Sequence, residues 1–346
     1  MKIGVVGCGK ISDQYFQFAQ TSKKIKIISC TDQILEKAIH QSTKYSISYS
    51  KSIEEMLLNP EIDTILNLTP PKEHKKITIK SIKSSKHVYS EKPLGINSKE
   101  CYEILEVAKK FNKQVCSAPD TFLGAGIQKS KKIIKKNSIG QIVHASAFMV
   151  SPGHEYWHPN PDLYYDIGGG PDLDMAPYYL TTLVYLLGKV KRVTGSHKKT
   201  FSTRKILSEP RKGEIIQVQA PTHISSILDF YNGVICTMIM SFDTHGSTLP
   251  RIELYGTKGT LHLPDPNSFG GPLKIIKPQE ESWENIPISE NTGQRGMGLE
   301  DMADSIKNKI VAQTHCQNAA HVVNIIESVR LSSEKPNNRG WINNFL

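Results

Sequence analysis

The sequence holds no apolar run approaching the roughly 18 residues of a membrane-spanning helix, and no internal repeat or low-complexity stretch. Its start, Met1-Lys2-Ile3-Gly4-Val5-Val6-Gly7, is too short and too interrupted by glycine for a signal peptide. The six cysteines (Cys8, Cys30, Cys101, Cys116, Cys236 and Cys316) are scattered, with no Cys-x-x-Cys pair among them. That pattern excludes a disulfide scaffold and a Cys-rich zinc module, and the expected compartment is a reducing cytoplasm. Acidic residues are in the minority, 33 Asp and Glu against 43 Lys and Arg, so the formal net charge is +10. The lysines fall at helical spacing, at 72, 75, 76, 80 and 83 and again at 129, 131, 132, 135 and 136, with no interleaved aromatic residues. They read as solvated helix faces, and neither nucleic acid nor membrane is an expected partner. What remains is a globular chain of 346 residues with 38% hydrophobic and 22% charged residues. At about 150 residues per domain this length implies two domains.

The first 120 residues alternate strand and helix. Strands are expected over 3–6, 25–31, 63–68, 87–90 and 114–118, and helices over 11–20, 35–41, 72–85 and 98–111. A capping box, Ser52 with Glu55, opens a short helix between them. Strands separated by such helices imply βαβ units in a doubly wound parallel sheet. After residue 120 the pattern changes. A strand over 141–150 leads into a loop rich in Gly, Pro and aromatics over 151–170, and then a helix that runs to Leu187 before Gly188. From 189 to 276 strands follow one another, with Asn232-Gly233 and Gly256-Thr257-Lys258-Gly259 as hairpin turns. Helices over 299–311 and 318–331 close the chain. The expected division is a dinucleotide-type domain over 1–120 followed by an α+β domain over 121–346.

Gly7-Cys8-Gly9-Lys10-Ile11-Ser12 lies between the first strand and the first helix. Gly7 permits the tight turn, Gly9 removes a Cβ so that backbone can approach a pyrophosphate, and the helix start offers N–H groups and a positive dipole end. Ser12 stands where a third glycine is usual, and Asp32 ends the next strand. Asp32 accepts from ribose hydroxyls and repels a 2′-phosphate, so NAD is expected over NADP. Ligands of such sheets sit outside the carboxyl ends of the strands, where Thr69-Pro70 and Glu91-Lys92-Pro93 follow two further strands. The cofactor candidates are therefore Gly7, Gly9, Lys10, Ile11, Asp32, Thr69, Pro70, Glu91 and Lys92.

A second constellation is Gly168-Gly169-Gly170-Pro171-Asp172-Leu173-Asp174-Met175-Ala176-Pro177-Tyr178. The glycines allow close approach by a ligand or a neighbouring strand. Asp174 and Tyr178 share a helix face at a spacing of four, and Asp172 or Asp174 is alternatively a helix cap. The loop upstream carries His154, Glu155, Trp157, His158, Asp162, Tyr164 and Tyr165, and aromatics among polar groups suit the apolar face and hydroxyl rim of a sugar. His154 and His158 lie among Gly and Pro with no third ligand at metal-site spacing, so no metal is expected.

These residues resemble the glucose-fructose oxidoreductase / inositol dehydrogenase / MocA (Gfo/Idh/MocA) family over nearly the whole chain. The resemblance rests on VVGCGKIS, Asp32, LTPPKEH, SEKPLG and GGGPDLDMAPYYL, with ELYGTKGTL and GLEDMA as weaker support. It implies an N-terminal Rossmann domain, a C-terminal α+β substrate-binding and oligomerisation domain over 121–346 built on an open, mostly antiparallel sheet that mediates homodimers or homotetramers, and NAD(P)-dependent oxidation or reduction of a sugar, cyclitol or derivative at a ring hydroxyl carbon. It maps a catalytic lysine onto Lys92, with a cis peptide before Pro93, and a substrate-contacting aspartate onto Asp174. Family members often place a histidine four residues after that aspartate, and here the position is Tyr178. The candidates for catalysis are Lys92, Asp174 and Tyr178, and for the substrate His154, Trp157, His158, Tyr164 and Asp174. Rival readings are an NAD-retaining glycoside-cleaving enzyme, which oxidises, eliminates and reduces again, and a non-catalytic NAD/sugar sensor.

Overall fold

The structure, a computed structural model, describes residues 1–334 and 340–342. Its chain contacts separate two units: Met1–Asp120 with Gln294–Val323, and Thr121–Gly293 with the described residues from Asn324 on. The first boundary falls between Asp120 and Thr121. The return of 294–323 to the first unit differs from the expected second domain over 121–346.

In the first unit, β1 (Lys2–Val6), α1 (Ser12–Thr21), β2 (Lys26–Thr31), α2 (Leu35–Tyr45), β3 (Ser48–Tyr49), α3 (Ile53–Leu58), β4 (Thr64–Asn67), α4 (His74–Lys83), β5 (His87–Ser90), α5 (Ser98–Lys110) and β6 (Val115–Ser117) follow in order. The six strands form one parallel sheet in the order β3-β2-β1-β4-β5-β6, the doubly wound arrangement expected from the alternation. All four residues of β4 are buried, as befits a strand covered on both faces. Ser52 Oγ accepts from the Glu55 N–H at 3.2 Å and starts α3. The expected helix over 72–85 is shorter, because Pro71 to Glu73 form a 3-10 turn before α4 begins.

The second unit contains α6 (Ala125–Lys135), β7 (Ile142–Val150), α7 (Pro171–Asp174), α8 (Ala176–Leu187), β8 (Val190–Lys198), β9 (Thr203–Lys205), β10 (Ile215–Gln217), β11 (His223–Phe230), β12 (Ile235–Ser241), β13 (Ile252–Gly256), β14 (Gly259–Leu263), β15 (Lys274–Ile276) and β16 (Glu284–Asn285). The chain then continues through α9 (Met297–Asn308), α10 (Cys316–Glu334) and β17 (Gly340–Trp341). Nine strands form a sheet in the order β16-β15-β14-β13-β7-β12-β11-β8-β17. Among the described residues only the β7–β12 pair of this sheet is parallel, so the sheet is mostly antiparallel. The hairpin at Asn232-Gly233 forms as expected, with Gly233 at φ +89°. Alternation along β12 buries Cys236, Met238 and Met240 and leaves Ile235 49% exposed, while Ile227 on β11 is 47% exposed. The helix that runs to Leu187 starts at Ala176, because Pro177 belongs in a first helical turn; the short α7 precedes it, and the two meet at Met175 (φ −106°, ψ −35°).

The returning segment is integral to the first unit's core. Leu299 and Met302 are fully buried in a cluster with Ile3, Val5, Tyr15 and Leu66. Cys316, Ala320 and Val323 of α10 join Val88, Cys101 and Ile104 in a second cluster. Asp120, fully buried, accepts from the backbone N–H groups of Gly296 and Gly298 at 2.8 and 3.1 Å and so anchors the start of α9. Gly298 is required there, since a Cβ would meet the Tyr89 ring at 2.7 Å or less. Among the described residues no helix is long and apolar enough to cross a membrane.

Candidate active site

The turn after β1 is built from backbone. Gly7 adopts φ +101°, and a Cβ on it would fall 2.7 Å from the Leu68 carbonyl oxygen, so only glycine lets the ends of β1 and β4 approach this closely. The Gly7 N–H donates to the Thr31 carbonyl at 2.9 Å. A Cβ on Gly9 would meet nothing within 4 Å, which is open space directly before α1. Ile11, at the N-cap of α1, provides no side-chain cap. Ser12 is fully buried, its hydroxyl donating to the Gly9 carbonyl at 2.6 Å and accepting from Gln41 Nε2 at 3.1 Å, so the serine closes the turn internally. Lys10 is exposed and Ile11 half-buried. Asp32 is held by two backbone donors: its Oδ2 accepts from Cys8 N–H at 2.7 Å and its Oδ1 from Ile34 N–H at 2.8 Å. Space at Gly9, a helix start without a side-chain cap and a fixed carboxylate at the end of β2 fit the pyrophosphate and ribose of a dinucleotide.

The loops after β4 and β5 carry the remaining cofactor candidates. Thr69 donates from its hydroxyl to Asn67 Oδ1 at 2.7 Å, and Pro70 beside it is exposed. Glu91 is buried; its Oε1 accepts from the Tyr15 hydroxyl at 2.7 Å and from Arg295 Nη1 at 3.4 Å, and its Oε2 from the Lys92 N–H at 3.0 Å. Burial works to raise the Glu91 carboxyl, but Arg295, Tyr15 and Lys92 outweigh it and hold the group below the usual range. Lys92 is half-buried, and its peptide bond to Pro93 is cis, the geometry the resemblance implies. Arg295 went unrecognised in the sequence, because it reaches Glu91 across a separation of 204 residues.

In the second unit, Asp174 ends α7, and His154 Nε2 lies 3.6 Å from its Oδ2. The His154 ring stacks on Tyr164 at 3.6 Å between centroids and 9° between planes, with Phe242 edge-on at 4.6 Å and Trp157 tilted at 5.3 Å. His158 meets Tyr164 edge-on at 5.2 Å, and Trp157 is 60% exposed. The structure thus gathers His154, Trp157, His158, Tyr164 and Asp174. Tyr178, one turn into α8, is only 6% exposed. Asp172 is not the companion of Asp174: Arg330 Nη2 donates to its Oδ1 at 2.8 Å and Arg330 Nε to its Oδ2 at 2.5 Å. The glycine stretch serves neighbouring backbone, since a Cβ on Gly169 would fall 2.5 Å from the Leu163 carbonyl oxygen and one on Gly170 2.8 Å from that of Pro221.

A buried ion network holds the loop that carries His154. Arg204 pairs with both Glu155 and Asp243, and all three side chains are at least nine-tenths buried. The Tyr165 hydroxyl donates to Glu155 and accepts from the His154 N–H at 3.1 Å. Thr200 and Thr222 donate to Asp243 Oδ2 at 2.6 and 2.7 Å. Arg204 and Asp243 carried no signal in the sequence, because their partners come from separate strands and loops. Among the described residues, no group of three or more His, Cys, Asp or Glu side chains is placed to hold a metal ion.

Comparison with known proteins agrees with this architecture. The oxidoreductase family with an NAD-binding Rossmann fold (Gfo/Idh/MocA) matches residues 1–118, and the Gfo/Idh/MocA C-terminal domain matches residues 127–262. The chain belongs to this family, and its first unit is the NAD-binding domain of an oxidoreductase. Oxidoreductase P35 of Formosa agariphila is 22% identical over 203 residues, which are 55% of this chain and 61%, less than two thirds, of that relative. Myo-inositol 2-dehydrogenase of Thermotoga maritima is 22% identical over 262 residues, 75% of this chain and 74% of that protein. Among solved structures, levoglucosan dehydrogenase in complex with NADH and L-sorbose superposes with a TM-score of 0.84 at 15% identity, covering 100% of this chain and 99% of that one.

Proposed function

We propose that the protein is an NAD-dependent dehydrogenase or reductase of a sugar, cyclitol or sugar derivative, working at a ring carbon that bears a hydroxyl. The observation that carries this reading is the pairing of His154 with Asp174, 3.6 Å apart, beside the faces of Tyr164 and Trp157. A carboxylate–imidazole pair exchanges protons with a hydroxyl, and flanking aromatic faces suit the apolar side of a sugar ring. The myo-inositol and levoglucosan dehydrogenases that the chain resembles bear names of the same substrate class.

When bound, NAD takes up the hydride released from the carbinol carbon. The chain's own groups handle the rest. Gly7, Gly9, Lys10 and Ile11 cradle the pyrophosphate, Asp32 accepts from the ribose hydroxyls, and Thr69, Pro70 and Glu91 shape the nicotinamide end. Lys92 binds the reacting hydroxyl oxygen and helps carry away its proton as the alcohol becomes a carbonyl. Asp174 orients the ring. Tyr178 assists, but its burial gives it the smaller share. His154, 3.6 Å from Asp174, takes the proton-exchange role that the family commonly gives to a histidine on the following helix turn. Trp157, His158 and Tyr164 contact the substrate. The apolar residues on the open sheet face, Ile227 and Ile235, pair with a second subunit in a homodimer or homotetramer.

The test is a panel of sugars, cyclitols and glycosides incubated with protein and NAD, following NADH and released aglycone in parallel. NADH formation with a free polyol supports the reading. Aglycone release without net NADH replaces it with the redox-neutral glycoside-cleaving enzyme. A protein that binds NAD and sugar but turns over neither is the sensor.

A further inference from the structure

His74 occupies the first position of α4, immediately after the loop that carries Thr69 and Pro70, and is 1% exposed. Its ring lies between two carbonyl oxygens from different loops. Nδ1 is 2.6 Å from the Pro93 oxygen, on the loop after β5, and Nε2 is 2.7 Å from the Thr69 oxygen, on the loop after β4. The backbone at His74 is itself tied down, its carbonyl accepting from Asn67 Nδ2 at 3.2 Å, and Asn67 Oδ1 accepts from the Thr69 hydroxyl. Both loops sit at carboxyl ends of strands beside the crevice between β1 and β4, and one carries Lys92.

We propose that His74 is a positioning residue that sets the spacing of these two loops, its Nδ1 holding the Lys92 loop and its Nε2 holding the Thr69 loop. The inference rests on the assignment of Thr69 to the cofactor and Lys92 to the reacting hydroxyl. A carbonyl oxygen only accepts, so each bond needs a proton on the facing nitrogen. Burial pushes the imidazole pKa down, against the two carbonyls and the Glu91 charge, which push it up; Lys92 pushes it down. Holding both loops at once therefore takes the doubly protonated ring, in which Nδ1–H faces the Pro93 oxygen and Nε2–H the Thr69 oxygen; a neutral ring holds only one of them.

The ring's two arms can be separated by substitution. An asparagine amide reaches where Nδ1 lies, and a glutamine amide reaches where Nε2 lies. The full-length variants His74→Asn, His74→Gln and His74→Ala are compared in two readouts that need no substrate. One is NAD affinity by calorimetry. The other is the carbon-13 resonance of reductively methylated Lys92, identified by its absence from Lys92→Met. His74→Asn is expected to leave the Lys92 resonance in place and weaken NAD binding about tenfold, the scale of one buried hydrogen bond. His74→Gln is expected to do the reverse, moving the resonance with NAD affinity within about threefold of wild type. His74→Ala changes both. If the Asn and Gln variants each shift both readouts together, or if His74→Ala folds and shifts neither, the positioning role is wrong. Should His74→Ala fail to fold, the Asn and Gln pair decides alone. A wild-type protein that binds NAD yet oxidises no polyol would overturn the proposed function while leaving these readouts intact.

Discussion

The candidate sites of the two units are built from different materials. In the first unit the candidate cofactor turn is backbone: Gly7 at φ +101°, open space at Gly9, and a carboxylate fixed by two N–H groups within 24 residues of chain. In the second unit the loop bearing His154 is held by side chains, through a buried Glu155–Arg204–Asp243 network spanning 49 residues between Glu155 and Arg204. The first arrangement tolerates side-chain change wherever the backbone shape survives, as Ser12 in place of a third glycine illustrates. The second depends on complete pairing, because removing one member leaves buried charge without compensation.

Four experiments probe that contrast, from the largest expected effect to the smallest. Lys92→Met should lower turnover on the true substrate by about 10²–10⁴ while NAD affinity stays at the wild-type level, the usual size of an acid/base contribution. Steady-state kinetics with separate NAD calorimetry checks it, and wild-type turnover in the variant would overturn the assigned role. Arg204→Met should destabilise the second unit by about 3–5 kcal/mol, since Glu155 and Asp243 are then left as buried charges. Urea unfolding measures this, and a loss below about 1 kcal/mol, the scale of a surface pair, would mean that the network is not what holds the loop.

His154→Gln should cost more activity than Tyr178→Phe. About 10²-fold is expected for the first, within the range of a proton-exchange group, and less than about tenfold for the second. Parallel kcat and KM measurements on the two variants decide it, and the reverse ranking returns the role to the tyrosine. Asp32→Ala should remove a preference for NAD over NADP of about tenfold, the worth of charge-assisted hydrogen bonds to the ribose. Competitive calorimetry with the two dinucleotides is the check. Equal wild-type affinities for both would show that Asp32, held by Cys8 and Ile34, is not presented to the ribose.

The three proteins named above are 15–22% identical to the chain, yet the fold was legible from its sequence alone. Alternation of buried strands with amphipathic helices specified the doubly wound sheet. Asn232-Gly233 specified a hairpin, and Gly7 specified the tight turn between β1 and α1. Each of these is encoded within one or two elements by side-chain period and turn chemistry. The pairing of Asp174 was read less well. Spacing along the chain pointed to Tyr178, whereas the approach of His154, from a loop 20 residues upstream, to 3.6 Å from Asp174 left no mark in that spacing.

The sequence by itself determined the local grammar of this protein: the two kinds of sheet, the phosphate turn, the strand-end motifs Thr69-Pro70 and Glu91-Lys92-Pro93, and an aromatic loop before a glycine stretch. Only the tertiary structure decided which distant groups meet. It returned 294–323 to the first unit so that Arg295 reaches Glu91, buried Arg204 between Glu155 and Asp243, and set His74 between two carbonyls. The physical reason is that period and turn chemistry act over a few residues, whereas a buried polar group is satisfied by whatever partner folding brings to it, at any separation along the chain.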